Sequence, residues 1–350
     1  MRCWTRLPGN SGAKSFRVAD ERKISGEDAL IARYFKPLAT IPGAFGLDDD
    51  AAVLTAGSDE EIVVTTDAIV AGVHFLEDDP PDTVARKALR VNLSDLAAKG
   101  AEPAGFVLTL ALRSADDPWL TAFARALGED AASFGCPLLG GDTVSTPGPL
   151  TVSITAFGRV PAGKMVHRAG ARPGDRVLVT GTIGDAALGL DILKGRRLAE
   201  ALVNDRAGRD AMVARYRIPE PRNALAKAVR DFASAAMDVS DGLAGDLAKL
   251  CAASGVSALI DLPSIPTSAV AARLLSQGAT SIETLVSGGD DYEILCCVTE
   301  ARVDAFEAEA KRVGVALAPI GTVISGHDAP RFLDAQGAEI DFKHPSYSHF

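Results

Sequence analysis

The chain has 350 residues, 47% of them hydrophobic and 23% charged, so it is long enough for two domains that each bury a core. Its 36 Lys and Arg residues against 46 Asp and Glu residues give a formal net charge of −10, which excludes the clustered basic surface of a nucleic-acid-binding protein. An acidic protein still binds phosphate groups when metal ions mediate the contact.

The five cysteines form no CxxC pair, and two of them, Cys296 and Cys297, lie in the apolar run YEILCCVT. Such cysteines are typical of buried free thiols in a reducing cytoplasm. No run of about 18 apolar residues predicts a membrane span, and residues 1–24 lack the apolar segment of a signal peptide. We therefore expect a cytoplasmic protein whose residues 1–24 form a loose extension.

The N-terminal half alternates between helical and strand-like patterns. The segment SGEDALIARYF, which starts at Ser25, predicts a helix with an acidic first turn. Strand patterns follow at 51–56, 61–70, 105–113 and 150–160, and helical patterns at about 82–99 and 118–133. The Gly- and Pro-rich stretch 161–175 indicates a connection, so we predict an N-terminal domain over 25–160 and a C-terminal domain over 161–350.

The C-terminal half begins a second alternation with the strand pattern DRVLVTG. Helical patterns lie near 185–195 and 221–232, after Gly242, and at about 300–313. Further strand patterns are AAMDVS, VSALIDL, YEILCCVT and LAPIGTVIS. The two halves together predict a two-domain protein of mixed α/β or α+β class.

Acidic residues recur in one setting, at a strand end or tight turn beside Gly, Ser or Thr. The six places are DDD at 48–50, TTD at 65–67, NLSD at 92–95, GGD at 140–142, DVSDG at 238–242 and GGDD at 288–291. A single aspartate at a turn is usually a structural residue. Six such places in one chain shift the balance towards a binding function.

Asp95 is the most informative of these carboxylates. At about 100° per residue along a helix, it lies on an apolar face with Val84, Ala88, Val91 and Ala98. The opposite face carries Arg86, Lys87, Arg90 and Ser94. An aspartate within an apolar stripe must be neutralised, hydrogen-bonded or bound to a cation. A role in capping a neighbouring helix stays open, but we favour metal binding because other carboxylates are available to join Asp95.

These carboxylates, with hydroxyls such as Thr65, Thr66 and Ser240, form a donor set that suits Mg²⁺. The five histidines have no paired spacing typical of zinc. The turns in LLGGDTV, VSGGDDYEI and VTGTIGDAALGL let backbone N–H groups approach an anion. Neither a G-x-x-x-x-G-K-[ST] loop nor a kinase H-R-D or D-F-G set is present. The residues alone thus predict a site that binds several Mg²⁺ ions and phosphate.

Seven motifs, in this order, resemble those of thiamine-monophosphate kinases: TTDAIVAGVHF, ALRVNLSDLAAKGAEP, LLGGDTV, RAGARPGD, VTGTIGDAALGL, MDVSDGLAGDL and SGGDDYEIL. The resemblance runs from about Gly26 to the C-terminal SYSHF. It implies an architecture like that of aminoimidazole ribonucleotide synthetase, with an α/β N-terminal domain whose sheet completes a barrel in a homodimer and an α+β C-terminal domain. It also implies that ATP phosphorylates thiamine phosphate to thiamine diphosphate, with neither nucleic acid nor membrane as a partner.

The resemblance further implies roles for individual residues. Positions that match the family's Mg²⁺ ligands are Asp50, Thr65, Thr66, Asp67, Asp95, Asp142, Asp238 and Asp241, with Asp49 as a neighbour in the paired-aspartate motif. Positions that match contacts to ATP are Gly141, Asp142, Arg168 and Ser240, and those near thiamine phosphate are His74, Asp290 and Tyr347. The expected catalytic residues are Asp67, Asp95 and Arg168, because direct in-line transfer between two polyanions requires charge neutralisation rather than a strong base.

Three places depart from the family pattern. Asp48 stands where Gly is usual, Asp290 stands where Glu is usual, and SYSHF replaces GYDHF. The departures at Asp48 and Asp290 leave open an inactive nucleotide-binding regulator, and the shared architecture leaves open another ATP-dependent synthetase.

Overall fold

The computed structural model describes residues 29–49, 51–195, 198–343 and 346. The predicted extension 1–24, the start of the helix predicted from Ser25, and two predicted site residues, Asp50 and Tyr347, lie outside the described residues. The first described segment is helical and includes a π-helical turn, Ile31–Phe35. Short 3-10 turns follow at Lys36–Leu38 and Pro42–Leu47.

The N-terminal half contains a four-stranded sheet. Its strands are β1 (Glu60–Val70), β2 (Glu102–Leu112), β3 (Leu138–Ser145) and β4 (Thr151–Pro161). The strand order is β1-β4-β2-β3, with β4 antiparallel to both β1 and β2, and β3 parallel to β2. The edge strands β1 and β3 are thus separated by two inner strands.

Two local predictions in this half are wrong. Residues 51–56 form no strand, because none of the described strands pairs with them, and Val53 instead donates an isolated backbone hydrogen bond to the Gly43 carbonyl. The stretch LLGGDTV was interpreted as a turn but forms β3. Its glycines permit close strand pairing, since a Cβ at Gly141 would lie 2.0 Å from the Leu108 carbonyl oxygen.

Two long helices, α1 (Pro81–Ala98) and α2 (Asp117–Ser133), pack against the sheet and bury one of its faces. The other face carries exposed apolar side chains, among them Val64 and Val144. Helix α1 is also buried on the face opposite the apolar stripe, where Lys87 and Ser94 lie. The reason is that the C-terminal half packs against this side of the helix.

The C-terminal half contains a seven-stranded mixed sheet in the order β11-β10-β7-β9-β5-β8-β6. Its strands are β5 (Asp175–Thr180), β6 (Ala233–Asp238), β7 (Ser257–Asp261), β8 (Ile294–Thr299), β9 (Leu317–Ile324), β10 (Arg331–Leu333) and β11 (Glu339–Ile340). Its helices are α3 (Asp185–Leu193), α4 (Leu198–Ala201), α5 (Arg206–Arg217), α6 (Ala226–Phe232), α7 (Leu243–Ser254), α8 (Ala269–Ser276), α9 (Ile282–Ser287) and α10 (Val303–Arg312). The predicted mixed α/β class is confirmed, although the sequence patterns did not identify α4, α5, α8, α9, β10 or β11.

Helix α1 and the residues after it join the two halves. The Lys99 ammonium donates to the Ala236 carbonyl over 2.7 Å, and Arg230 donates to the Gly100 carbonyl. Ala97 and Ala98 share a buried cluster with side chains of β6 and β8. The first sheet ends at 161 and the second begins at 175, while the domain boundaries at 24/25 and 160/161 stay predictions.

The thiol prediction holds for the four cysteines that the structure describes, Cys136, Cys251, Cys296 and Cys297, which are all buried and free. Burial raises the pKa of Cys136 to about 12 and that of Cys251 to about 11, so both stay protonated at neutral pH. In the described parts of the chain, no helix has both the length and the apolar character that crossing a membrane requires.

Candidate active site

A cleft of about 1010 Å³ lies where the two halves of the chain meet. One side comes from β1, the loop that follows it, and α1. The other side comes from α3, α9 and the loops after β6 and α9, together with Lys343 and Ser346. Seven of the predicted site residues line this cleft: Asp67, His74, Asp95, Asp238, Ser240, Asp241 and Asp290.

Four aspartates from both halves, Asp67, Asp95, Asp238 and Asp241, form a group that we term the carboxylate cluster. The pKa of Asp67 is raised to about 6, mainly by partial desolvation and to a smaller extent by the charges of Asp95 and Asp241. Burial and then the charge of Asp95 raise the pKa of Asp238 well above its usual range. Carboxylates that resist ionisation in this way are stabilised as anions when a cation lies between them.

The alternation of side chains along β1 decides which of its residues reach the cluster. Thr65 and Asp67 point towards α1, where the Thr65 hydroxyl donates to the Asp95 carboxylate and the Asp67 N–H donates to Asn92 over 3.1 Å. Thr66 points to the opposite face and donates to the Ile154 carbonyl over 3.2 Å. The structure therefore brings the Thr65 side chain to the cluster but not that of Thr66.

The turn between β6 and α7 is fixed by Asp246, which the sequence analysis did not single out. Its buried carboxylate accepts the N–H groups of Ser240, over 3.0 Å, and of Asp241, over 2.9 Å. The Lys249 ammonium bonds to Asp241 over 2.6 Å and to Asp246 over 2.8 Å. These contacts hold Asp241 and the Ser240 hydroxyl at the edge of the cleft.

The loop after α9 places Asp290 against the same turn. Asp290 has a φ of +71°, and its N–H donates to the Ser240 carbonyl over 2.8 Å. Tyr292 has a φ of +51° and donates in the same way to the Val239 carbonyl. Gly289 permits this approach, because a Cβ there would lie 2.5 Å from the Ser240 oxygen.

The remaining predicted residues in the described chain do not line the cleft. Gly141 and Asp142 lie on β3, three strands from β1, which corresponds to about 14 Å. Asp49 is exposed in the segment before β1. Arg168 is exposed in the connection after β4. Burial is the main cause of the lowered pKa of Lys99, and the charge of Arg168 lowers that pKa further.

One glycine turn expected to bind an anion already has a partner inside the protein. The Gly184 N–H, at the start of α3, donates to both carboxylate oxygens of the buried Asp291 over 3.0 and 2.9 Å. A phosphate would have to displace this carboxylate to use the same N–H group. The start of α3 is therefore a structural contact between α3 and the loop before β8.

The donor set of the cleft fits a metal that arrives with its substrate. Among the residues described, no three His, Cys, Asp or Glu side chains form a group tight enough to hold a metal ion without help. Mg²⁺ commonly takes one or two carboxylates and completes its shell with waters and substrate phosphates. The carboxylate cluster and the Ser240 hydroxyl supply hard oxygen donors of this kind.

Two models of known families match the chain. They are those of the AIR synthase related protein N-terminal domain, over residues 48–160, and of the AIR synthase related protein C-terminal domain, over residues 172–332. The thiamine-monophosphate kinase of Caulobacter vibrioides is 48% identical over 301 residues, which cover 85% of this chain and 83% of that protein.

Solved structures agree with the sequence comparison. The crystal structure of thiamine-monophosphate kinase from Stenotrophomonas maltophilia K279a has a TM-score of 0.75 at 36% identity and covers 82% of this chain and 89% of its own. The structure of AaThiL complexed with AMPPCP and TMP has a TM-score of 0.72 at 28% identity and covers 88% of this chain and 97% of its own. The chain therefore belongs to the thiamine-monophosphate kinase family and has the two-domain fold of the AIR synthase related proteins.

Proposed function

We propose that this protein transfers the terminal phosphoryl group of ATP to thiamine phosphate, giving ADP and thiamine diphosphate. The observation that carries the proposal is the carboxylate cluster, in which both halves of a chain from this family place aspartates in one cleft. A relative with the same fold is complexed with AMPPCP, an ATP analogue, and TMP. ATP and thiamine phosphate are therefore the substrates that we assign to the cleft.

We assign Mg²⁺ to the carboxylate cluster, with Asp67, Asp95, Asp238 and Asp241 as its protein donors. Bound there, Mg²⁺ would neutralise the negative charge of the phosphates and the charge that develops on the departing ADP. Thr65 holds the Asp95 carboxylate in place through its hydroxyl. Ligand roles for Asp49, Asp50, Thr66 and Asp142 stay predictions, as do ATP contacts by Gly141 and Arg168.

The acceptor side of the cleft is assigned to His74 and Asp290, with Tyr347 as a further predicted contact. The terminal oxygen of thiamine phosphate is already anionic, so no residue has to remove a proton from the attacking atom. The chain's task is to align two anionic substrates and to screen their charges. We therefore propose direct in-line transfer without a phosphorylated enzyme intermediate.

A homodimer and a cytoplasmic location belong to the same proposal. The open face of the N-terminal sheet supports the dimer, because apolar side chains such as Val64, 58% exposed, are typically covered by a partner. A second copy, pairing its sheet with this face, is the occupant that the family resemblance implies. Sedimentation velocity on the purified protein would measure the mass, and a monomer at micromolar concentration would contradict this part.

The reaction is tested by incubating the purified protein with ATP, Mg²⁺ and thiamine phosphate and by measuring thiamine diphosphate directly. Asp95→Asn removes one carboxylate of the cluster, and we expect turnover to fall by at least about 100-fold without a change in fold. Asp231→Asn is the control, since Asp231 lies at the surface and pairs with Lys227. No thiamine diphosphate from the unmodified protein would refute the proposal.

The alternatives make different predictions in the same assay. A related synthetase would release ADP with another small substrate, such as formylglycinamidine ribonucleotide, and not with thiamine phosphate. A regulator would bind ATP without turnover. Screening acceptors for ADP release, beside direct measurement of nucleotide binding, separates the three functions.

A further inference from the structure

Lys87 is a buried cation beside the acceptor side of the cleft. It lies in the middle of α1, and its side chain is 2% exposed. Its ammonium donates to the His74 carbonyl over 2.8 Å, lies 3.2 Å from an Asp290 carboxylate oxygen, and sits 3.9 Å from the centre of the Tyr216 ring. Burying a lysine is costly, and these three partners compensate the cost at this position.

The three partners of Lys87 come from three separate segments. His74 belongs to the loop after β1, Tyr216 to α5, and Asp290 to the loop after α9. Tyr216 also donates its hydroxyl to the His74 carbonyl over 3.2 Å, which closes the group into a network. Lys87 therefore connects the only two acceptor-side residues in the described chain to which a substrate role is assigned.

Other charged groups nearby do not replace this contact. Asp79 is buried near Lys87 but is bound by Arg217 over 2.6 Å and by the Leu76 N–H over 2.8 Å. Burial lowers the pKa of Lys87, and the charges of Asp290 and then Asp79 oppose that shift. Asp290 is thus the carboxylate that pairs directly with the Lys87 ammonium.

The backbone conformation of Asp290 shows how its side chain is directed towards Lys87. Its φ of +71° is a left-handed conformation that is uncommon for a residue with a side chain, although aspartate adopts it more readily than most. The Asp290 N–H is held by the Ser240 carbonyl, and one oxygen of its side chain is held by Lys87. The carboxylate is 25% exposed, so part of it faces the cleft while the ion pair fixes its direction.

We propose that Lys87 is a positioning residue of this kinase, which sets the Asp290 carboxylate and the His74 loop for the acceptor substrate without touching it. This inference rests on the proposed function, because the acceptor is taken to be thiamine phosphate. Lys87 acts from the N-terminal half on a loop of the C-terminal half. The lysine is therefore expected to affect acceptor recognition far more than nucleotide recognition.

The test compares Lys87→Met with Arg86→Met. Methionine keeps most of the length of lysine and removes its charge. Arg86 is the matched control, because it is a partly buried cation on the same helix that pairs with Asp130 and Glu129, away from the cleft. In Lys87→Met we expect the KM for thiamine phosphate to rise about tenfold or more, with the KM for ATP changed by less than about twofold. Arg86→Met should change neither constant.

A double-mutant cycle separates positioning from a general loss of stability. If Lys87 acts through Asp290, the effect of Lys87→Met on the KM for thiamine phosphate should shrink in an Asp290→Ala background. Equal effects in both backgrounds, or an unchanged KM in the single variant, would overturn the inference. If Lys87→Met does not fold, Lys87→Arg keeps the charge but displaces it from the ammonium position, and an unchanged KM in that variant would overturn the inference as well.

Hydrogen exchange gives a readout that is independent of the reaction. Lys87→Met should exchange faster than the unmodified protein at residues 71–76 and 288–292, and Arg86→Met should not. Unchanged exchange in both segments of a folded Lys87→Met protein would refute the positioning role, even if the substrate were different. Absence of thiamine diphosphate formation by the unmodified protein would instead refute the proposed function.

Discussion

Asp67→Asn is expected to stabilise the metal-free protein while it removes activity. The pKa of Asp67 is raised from 3.8 to about 6, first by desolvation and then by Asp95 and Asp241, so the folded state disfavours its charge. Ionised Asp67 destabilises the folded state. This cost is complete above about pH 6, and it disappears as the pH falls towards the pKa of the unfolded state. A shift of this size corresponds to about 3 kcal/mol. Because Asp67 is exposed at the cleft, screening by water reduces our expectation to about 1 kcal/mol.

The measurement is thermal unfolding in EDTA at pH 7.5 and pH 5. At pH 7.5, Asp67→Asn should unfold about 1 to 2 °C above the unmodified protein, and the difference should be about half as large at pH 5. Asp142→Asn is the control, since Asp142 is exposed on β3 outside the carboxylate cluster. A lower unfolding temperature for Asp67→Asn at pH 7.5, or a gain that grows as the pH falls, would refute the electrostatic account of the cluster.

Three further predictions concern other parts of the chain. Asp48→Gly should keep turnover within about twofold, because the exposed Asp48 forms a surface ion pair with Lys36; a collapse in rate would show that it contacts substrate or metal. Glu293→Gln should lower the free energy of unfolding in urea by about 3 kcal/mol or more, since this fully buried carboxylate holds Arg215 and Arg222; an unchanged midpoint would contradict this. Val64→Glu should shift sedimentation from dimer to monomer, because it places a charge on the face proposed to pair; an intact dimer would contradict that arrangement.

The sequence predicted the parts of the site that carry their own local signal. Asp95 was identified because a carboxylate interrupted an apolar helical face, and the structure places it in the cleft with Asp67 and Asp238. The strands and helices that hold these residues were also recognised, since their hydrophobic periodicity is strong. In contrast, the glycines of β3 gave the signal of a turn although they serve close strand pairing.

The residues that support the site could not be recognised in the same way. Lys87 lies on the polar face of α1, opposite the apolar stripe that made Asp95 conspicuous, and the packing of the C-terminal half makes that face internal. Asp246 lies within a helix and acts on a turn that precedes it. Their roles depend on contacts between segments far apart in sequence or on the exact path of a turn, and periodicity contains neither kind of information.

The distribution of counter-charges indicates where a cation would be held most strongly. Asp241 and Asp290, at two sides of the cleft, each form an ion pair with a lysine, Lys249 and Lys87 respectively. Across the described residues, Asp67, Asp95 and Asp238 have no ion-pair partner within 4.0 Å, although their charges repel one another. The unbalanced negative charge is therefore concentrated between β1, α1 and the end of β6. A Mg²⁺–nucleotide complex that binds there would connect the two halves of the chain, because it would replace their mutual repulsion with a shared counter-ion.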